Sequence, residues 1–415
     1  MIPLIRKTTL PLLAAAAMAT PVLAGPPDAV ATEPTPTKPT ALTGYDRVWS
    51  HATLYKNDEN DVLQEFSLQG RLQLQYAIGD SDQGHYGSDD RPEEFRWGDA
   101  VEVRRWRLGF KSKWFRQWKL DGQIDVNPDL DPFYRQIYDL TLTYAPSDAV
   151  NIGIGKYKAN NFGIEQVTSS KEILTFERAL LSNQLFVGEL TGARFNGKKD
   201  KWVYALGLYS GDITPEFSDF DTGTIFQASL GYDFHEELGI EKALVKIDWQ
   251  HSDDASNGTN DGKELRLGTN GSGLYENAFS LNGTFEQGKW GLYTDILGAE
   301  GRGTTGDVWG IIIIPSYYLT DGLQLVARYQ YANGDNDGLR LQSRYERLTA
   351  PPVGTLTDGG RGENYHAFYL GLNYYLYGHK LKLMAGAEYH TMDNGNDAGG
   401  KFEGITGLAG VRMFF

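Results

Sequence analysis

From residue 104 the chain reads Arg104-Arg105-Trp106-Arg107-Leu108-Gly109-Phe110-Lys111, with cations and apolar groups in near alternation. Successive side chains of a β-strand point to opposite faces. If Trp106, Leu108 and Phe110 share one face, Arg105, Arg107 and Lys111 share the other. Arg104 is then left on the apolar parity near the strand end. Arg71 takes the polar parity of the preceding alternating segment, and Lys119 that of the following one, beside Asp121 and Asp125. Arg194 joins them if Phe195 faces the apolar side. Fixed cations lining one wall replace part of an anion's hydration shell and exclude cations. Asp121, Asp125, Asp139 and Asp248 carry the same parity, so the alternative is a wall stiffened by Arg–carboxylate pairs.

Other chemistries find little support. The seven histidines, His51, His85, His235, His251, His366, His379 and His390, form no HExxH pair, and no G-x-S-x-G elbow occurs. An enzyme is therefore not expected. The runs GDNDG from Gly334, NDG from Asn260 and DNGND from Asp393 are turn chemistry. None matches the twelve-residue calcium loop. With no cysteine there are no disulfides, thiolate metal sites or Cys nucleophiles. No cofactor or metal is expected.

The elements that must position the cations are strands. Phe66, Leu68, Leu72, Leu74 and Tyr76 alternate with Ser67, Gln69, Arg71, Gln73 and Gln75, separating an oily face from a wet one. Similar segments fall near 65–77, 101–111, 117–126, 135–145, 149–158, 190–198, 202–210 and 224–235. Eight more fall near 241–250, 274–285, 289–298, 308–318, 323–332, 364–377, 380–390 and 405–415. Short connections, such as those at Pro146, Lys198, Glu286, Thr320 and Gly378, alternate with long ones, such as Gly79 to Ala100 and Ala159 to Glu189. That rhythm is the signature of an all-β transmembrane antiparallel barrel of about 16 strands, with short periplasmic turns and long outside loops. Tyr365, Tyr374, Tyr375 and Tyr377 are expected in an interfacial girdle. The run Ile311 to Ile314 before Pro315 departs from clean alternation.

Arg6 and Lys7, the apolar stretch Leu10 to Met18 and the small exit Val22-Leu23-Ala24 mark residues 1–24 as a secretory signal. Residues 25–64 follow as a Pro/Thr-rich periplasmic leader, and 65–415 as the barrel. Without Arg6 and Lys7 the 39 basic residues become 37 against 54 acidic ones, a balance of −17 that argues against nucleic acid as partner. With 49 glycines, 24 tyrosines and no later run of 18 apolar residues, the composition suits a bacterial outer-membrane barrel rather than a helical span. Its surroundings would be outer-membrane lipid and lipopolysaccharide.

Several segments resemble the phosphate-selective porin O and P family. They are Arg104 to Phe110; Gly155-Lys156-Tyr157-Lys158 with Asn161-Phe162-Gly163-Ile164-Glu165; Thr168 to Lys171; Phe176-Glu177-Arg178-Ala179-Leu180; Leu325 to Tyr329; and Leu370 to Leu376. The resemblance implies a sixteen-stranded barrel, usually a homotrimer, with a long loop folded into the lumen as a constriction. It also implies that basic side chains there select phosphate-like anions, a role carried to Arg105, Arg107, Lys158, Lys171 and Arg178. A C-terminal Phe415, common in this class, implies a signal read by the assembly machinery. The expected function is passive diffusion of small anions, phosphate among them. The alternatives are an unselective or weakly cation-selective porin for small polar solutes, and a plugged barrel.

Overall fold

The computed structural model describes residues 43–81, 84–85, 98–159, 161–211, 213–220, 223–253, 275–303, 305–341, 361–393 and 401–415. The signal segment, the leader up to residue 42 and the Asn260 run lie outside the described residues. Sixteen long strands make the wall. The first eight are β1 (Leu63–Ser81), β2 (Gly98–Trp114), β3 (Trp118–Val126), β4 (Tyr134–Ser147), β5 (Val150–Lys158), β6 (Glu189–Lys199), β7 (Trp202–Ser210) and β8 (Thr224–Asp233). The rest are β9 (Lys242–Ser252), β10 (Tyr275–Gln287), β11 (Trp290–Gly301), β12 (Val308–Thr320), β13 (Leu323–Gly334), β14 (Asn364–Tyr377), β15 (Leu381–Asp393) and β16 (Lys401–Phe414).

Each strand pairs antiparallel with its neighbours in sequence, and β16 returns to β1 from Arg71↔Phe414 to Ser81↔Gly404. Closure removes the unpaired edge that lipid could not satisfy. The faces are inverted relative to a water-soluble protein. On β1 the apolar parity is outside, with Leu68, Leu74 and Tyr76 exposed, while Ser67, Arg71, Gln73 and Gln75 are buried inside. The same holds on β9, where Ile247 and Trp249 are exposed and Asp248 and Gln250 are buried.

Aromatic pairs ring the short-turn rim. Trp118, Trp202 and Trp290 each open a strand after a short turn and pack on Tyr144, Tyr232 and Tyr317, at centroid separations of 5.0, 4.9 and 4.4 Å. The girdle expected at Tyr365, Tyr374, Tyr375 and Tyr377 needs correction. Tyr374 is exposed, but Tyr365 and Tyr375 take the inward parity of β14 and Tyr377 stacks on Tyr45. The parity of a strand decides this, and aromatic identity does not. At Gly334 the GDNDG run turns as expected, with Asn336 and Asp337 in the left-handed region at φ 55° and 56°.

Two features lie beyond the wall. A short helix, Gly44–Ser50, and a strand, Thr53–Lys56, precede β1; the strand pairs with β1. The helix is tied to the short-turn rim by Trp49 Nε1 donating to Phe414 O at 2.7 Å and Tyr377 OH donating to Asp46 Oδ1 at 2.6 Å. The other feature is a core inside the lumen. Phe162, Phe176, Leu180, Leu181 and Leu185, all from the connection between β5 and β6, are buried against Leu297, Ile312, Ile314, Val326 and Tyr369 of the wall. Burial of a side chain of this size contributes about 1.5–3 kcal/mol. The isoleucine run now has a cause: Ile313 faces out and is exposed, while Ile312 and Ile314 face in and receive the loop. Gly310 permits the approach, since a Cβ there would lie 2.3 Å from Tyr331 O and 2.7 Å from Leu181 Cδ1.

Candidate functional site: a loop clamped across the lumen

Between β5 and β6, residues 161–188 cross the lumen, forming two single-turn helices on the way, Ile164–Val167 and Leu180–Gln184. Polar groups fix this loop against wall after wall. Gly163 N–H donates to Asp248 of β9 at 2.9 Å and Ile164 N–H to Asp295 of β11 at 2.8 Å. Leu180 N–H donates to Gln330 of β13 at 2.7 Å. In the opposite sense Asn373 of β14, Lys382 of β15 and Gln73 of β1 donate to Leu174 O, Ile173 O and Ser170 O at 3.0, 2.8 and 2.9 Å. Arg412 of β16 donates to Phe176 O at 2.5 Å. Backbone groups that would otherwise be stranded off any sheet thus find partners.

Arg328 of β13 is the centre of the clamp. It is 2% exposed and gives Nη1 to Glu165 Oε1 at 3.1 Å and Nη2 to Glu388 Oε1 at 2.8 Å. The same Nη1 also donates to Glu177 O at 2.7 Å. One guanidinium therefore joins the loop at two points to β15.

The expected cations of the constriction come from β1, β2, β5, β6 and the loop itself. Arg71 is buried; it donates to Ser170 Oγ of the loop and lies 5.9 Å from the Tyr138 ring. Arg107 faces it across the β1–β2 pair, stacks 3.2 Å from the same ring and binds Asp125 Oδ1 at 2.6 Å. Arg105 donates to Gln73 Oε1 at 2.7 Å. Lys158 donates to Gln166 O in the loop, and Arg178 to Glu165 O at 2.6 Å and Thr168 O at 2.9 Å. Lys171 lies on the loop, its ammonium 4.8 Å from the Phe414 ring. Arg194 lies 4.4 Å from the Tyr157 ring. Lys111 and Lys119 are exposed lower on the wall, Lys111 against Glu65 at 3.3 Å.

The charge balance is uneven. Arg107 has Asp125, and Lys111 has Glu65. Among the described residues, Arg71, Arg105, Lys158, Lys171 and Arg194 have no carboxylate at ion-pair distance. Arg71 Nε, Arg107 Nη1 and Arg194 Nε are buried donors without a protein acceptor, and Asp139 Oδ1 is a buried acceptor in the same position. Burial, and then the nearby Arg71 guanidinium, hold the Lys171 ammonium down to about 8.

Arg104 corrects the parity reading. The β1–β2 register shifts between Gln73↔Arg105 and Leu74↔Val103, so Arg104 is an extra residue in a β-bulge. It turns inward instead of staying on the apolar parity and grips Glu177 in the loop, Nε to Oε1 at 2.6 Å and Nη2 to Oε2 at 2.9 Å. Burial opposes ionisation of Glu177, but Arg104 overrides it and holds the carboxyl far below the usual range. Sequence reasoning also passed over Arg328, Lys382 and Arg412. All three take the inward parity of their strands, a signal that could have found them. Their partners in the loop could not be read from that parity.

A model of the family described as phosphate-selective porin O and P matches residues 66–297. A search of the curated proteins found no match. Among solved structures, the chain is similar to the outer-membrane-expressed OmpT of Vibrio cholerae, at 12% identity and a TM-score of 0.54, covering 86% of this chain and 99% of that one. It is similar to an anion-selective porin from Comamonas acidovorans, at 10% identity and a TM-score of 0.55, covering 84% and 99%. It is also similar to the outer membrane channel DcaP of Acinetobacter baumannii, at 14% identity and a TM-score of 0.52, covering 87% and 100%. At these identities the likeness is one of fold.

Proposed function

The chain belongs to the phosphate-selective porin O and P family and is a porin channel of the bacterial outer membrane, and from that premise we propose that its pore passes small anions, phosphate among them, by passive diffusion. The observation that carries this reading is the set of cations without carboxylate contact among the described residues, Arg71, Arg105, Lys158, Lys171 and Arg194, on the loop and on β1, β2, β5 and β6. The buried nitrogens of Arg71, Arg107 and Arg194 that lack protein acceptors add to it, because a buried donor without an acceptor is costly and an anion oxygen would satisfy it. An anion entering the constriction exchanges part of its water for guanidinium and ammonium hydrogens. Asp125 and Asp139, on the same wall, keep the attraction weak enough for release, as conduction requires. On this reading Arg178 positions the loop through its carbonyl contacts, and Lys111 and Lys119 extend the positive wall toward the exit. The chain acts as a channel, without a catalytic step or cofactor, and three copies assemble as family members usually do.

A second reading, an unselective porin, draws on the neutralised pairs Arg104–Glu177 and Arg107–Asp125. The zero-current potential in a planar bilayer under a salt gradient separates the two. Anion preference, reduced when Arg105 and Arg107 are both changed to Ala, supports the first. A potential near zero supports the second; an anion-preferring potential unchanged in that double variant would instead take Arg105 and Arg107 out of the filter.

A further inference from the structure

A second feature of the lumen contains none of the constriction cations in its lining. Between the short-turn side of the loop and the inner faces of β9 to β12 lies a cavity of about 430 Å³, within the roughly 300–1,000 Å³ of small-molecule sites. Its lining mixes polar side chains, among them Thr168, Asn282, Thr284 and Tyr293, with apolar ones. Leu244 and Ile314 point in from β9 and β12, and Ile173 and Val167 come from the loop. Val167 is 39% exposed, so apolar surface is left open to the lumen instead of being packed away.

Two ammonium groups stand in the same lining, Lys246 and Lys242. Each touches a carboxylate that other donors already serve. Asp248, 3.1 Å from Lys246, also accepts from Ser229, Asn282 and the Gly163 N–H. Glu286, 2.9 Å from Lys242, also accepts from Tyr293 OH. An ammonium carries three hydrogens, so both lysines keep hydrogens to donate after these contacts. Glu172, exposed on the loop, lines the same cavity and would face any second acid group on a ligand.

We propose that this alcove binds small monocarboxylates with an apolar tail, the tail lying on Val167 and Leu244 and the carboxylate at Lys246. Inorganic phosphate gains nothing from the apolar side, whereas an alkyl or aryl acid removes apolar surface from water on entering. The site is separate from the constriction cations and does not depend on which ion the pore prefers.

The test is block of chloride current through the reconstituted full-length protein by acetate, butyrate, pentanoate and hexanoate at one pH. The half-blocking concentration should fall about two-fold per added methylene, half of the roughly four-fold of full burial, because the alcove is open on one side. Leu244→Asn and Val167→Ser should flatten the series, and Lys246→Gln should weaken all four acids alike. Val167 sits on the loop surface, so its variant tests the site even if Leu244→Asn fails to insert. Equal block by all four acids in the native chain, or a series unchanged in both apolar variants, overturns the proposal. Block that steepens with chain length in a pore without anion preference would refute the anion reading and uphold this site. Anion preference with a flat series would do the reverse.

Discussion

Replacing Arg328 by methionine should release the constriction loop while leaving the barrel closed. The guanidinium is buried and holds Glu165 at 3.1 Å and Glu388 at 2.8 Å, with Glu177 O at 2.7 Å. Methionine fills much of the volume but leaves two buried carboxylates without a cation. Removing one partner of a buried pair costs about 3–5 kcal/mol. Glu388 belongs to β15, paired along its length on both sides, whereas Glu165 belongs to a loop held by side chains and local packing. The loop therefore yields first. At about 1.4 kcal/mol per factor of ten, its opening equilibrium should shift by roughly two to four powers of ten. The assay is amide hydrogen exchange over residues 163–179, where the Gly163, Ile164 and Ala179 N–H groups are held by Asp248, Asp295 and Glu165. Single-channel conductance should become larger and noisier in parallel. The triple variant Arg328→Met, Glu165→Gln, Glu388→Gln removes this ion set as a whole and should recover most of the protection, since a neutral replacement of a buried ion set is often well tolerated. Exchange as slow in the single variant as in the native chain would refute the clamp. So would a triple variant no better protected than the single one.

Other outcomes follow from the same geometry. Lys171, held down to about 8, is charged below that pH and neutral above it, so anion preference should fall as pH rises through 8. Zero-current potentials from pH 6.5 to 9.5 check this, and Lys171→Met should remove the step; a flat native profile would take Lys171 out of the filter. Arg104→Gln leaves the Glu177 carboxylate facing the pore without its bidentate partner, and should lower the anion-to-cation permeability ratio by about 0.5–2 kcal/mol equivalent, whereas Glu177→Gln should raise it. At the seam, Gly70 and Phe415 exchange backbone hydrogen bonds at 3.1 Å, and a Cβ on Gly70 would lie 2.4 Å from the Phe415 ring. Gly70→Val and deletion of Phe415 should both reduce heat-modifiable barrel in outer-membrane fractions, and normal levels in both would show that the seat is dispensable.

How far the sequence reached depended on which property had a local cause. A strand's two faces follow from a period of two, so the inward setting of Arg71, Arg107 and Asp248 could be read from residue types alone. The sixteen strands, their alternating connections and their even number were legible for the same reason, because lipid outside and water inside demand the pattern on every strand. The tertiary structure decided which inward groups meet. Arg107 found Asp125 across one pair of strands, while Arg328 found Glu165, 163 residues earlier, only because the loop was laid across the lumen. It also decided where the period fails. One extra residue in β2 turned Arg104 from the lipid side to Glu177, and a core packed inside the lumen placed Ile312 and Ile314 where a polar parity was due. Alternation specifies a face; register, bulges and the path of a thirty-residue loop specify a partner, and those depend on contacts distant in the chain.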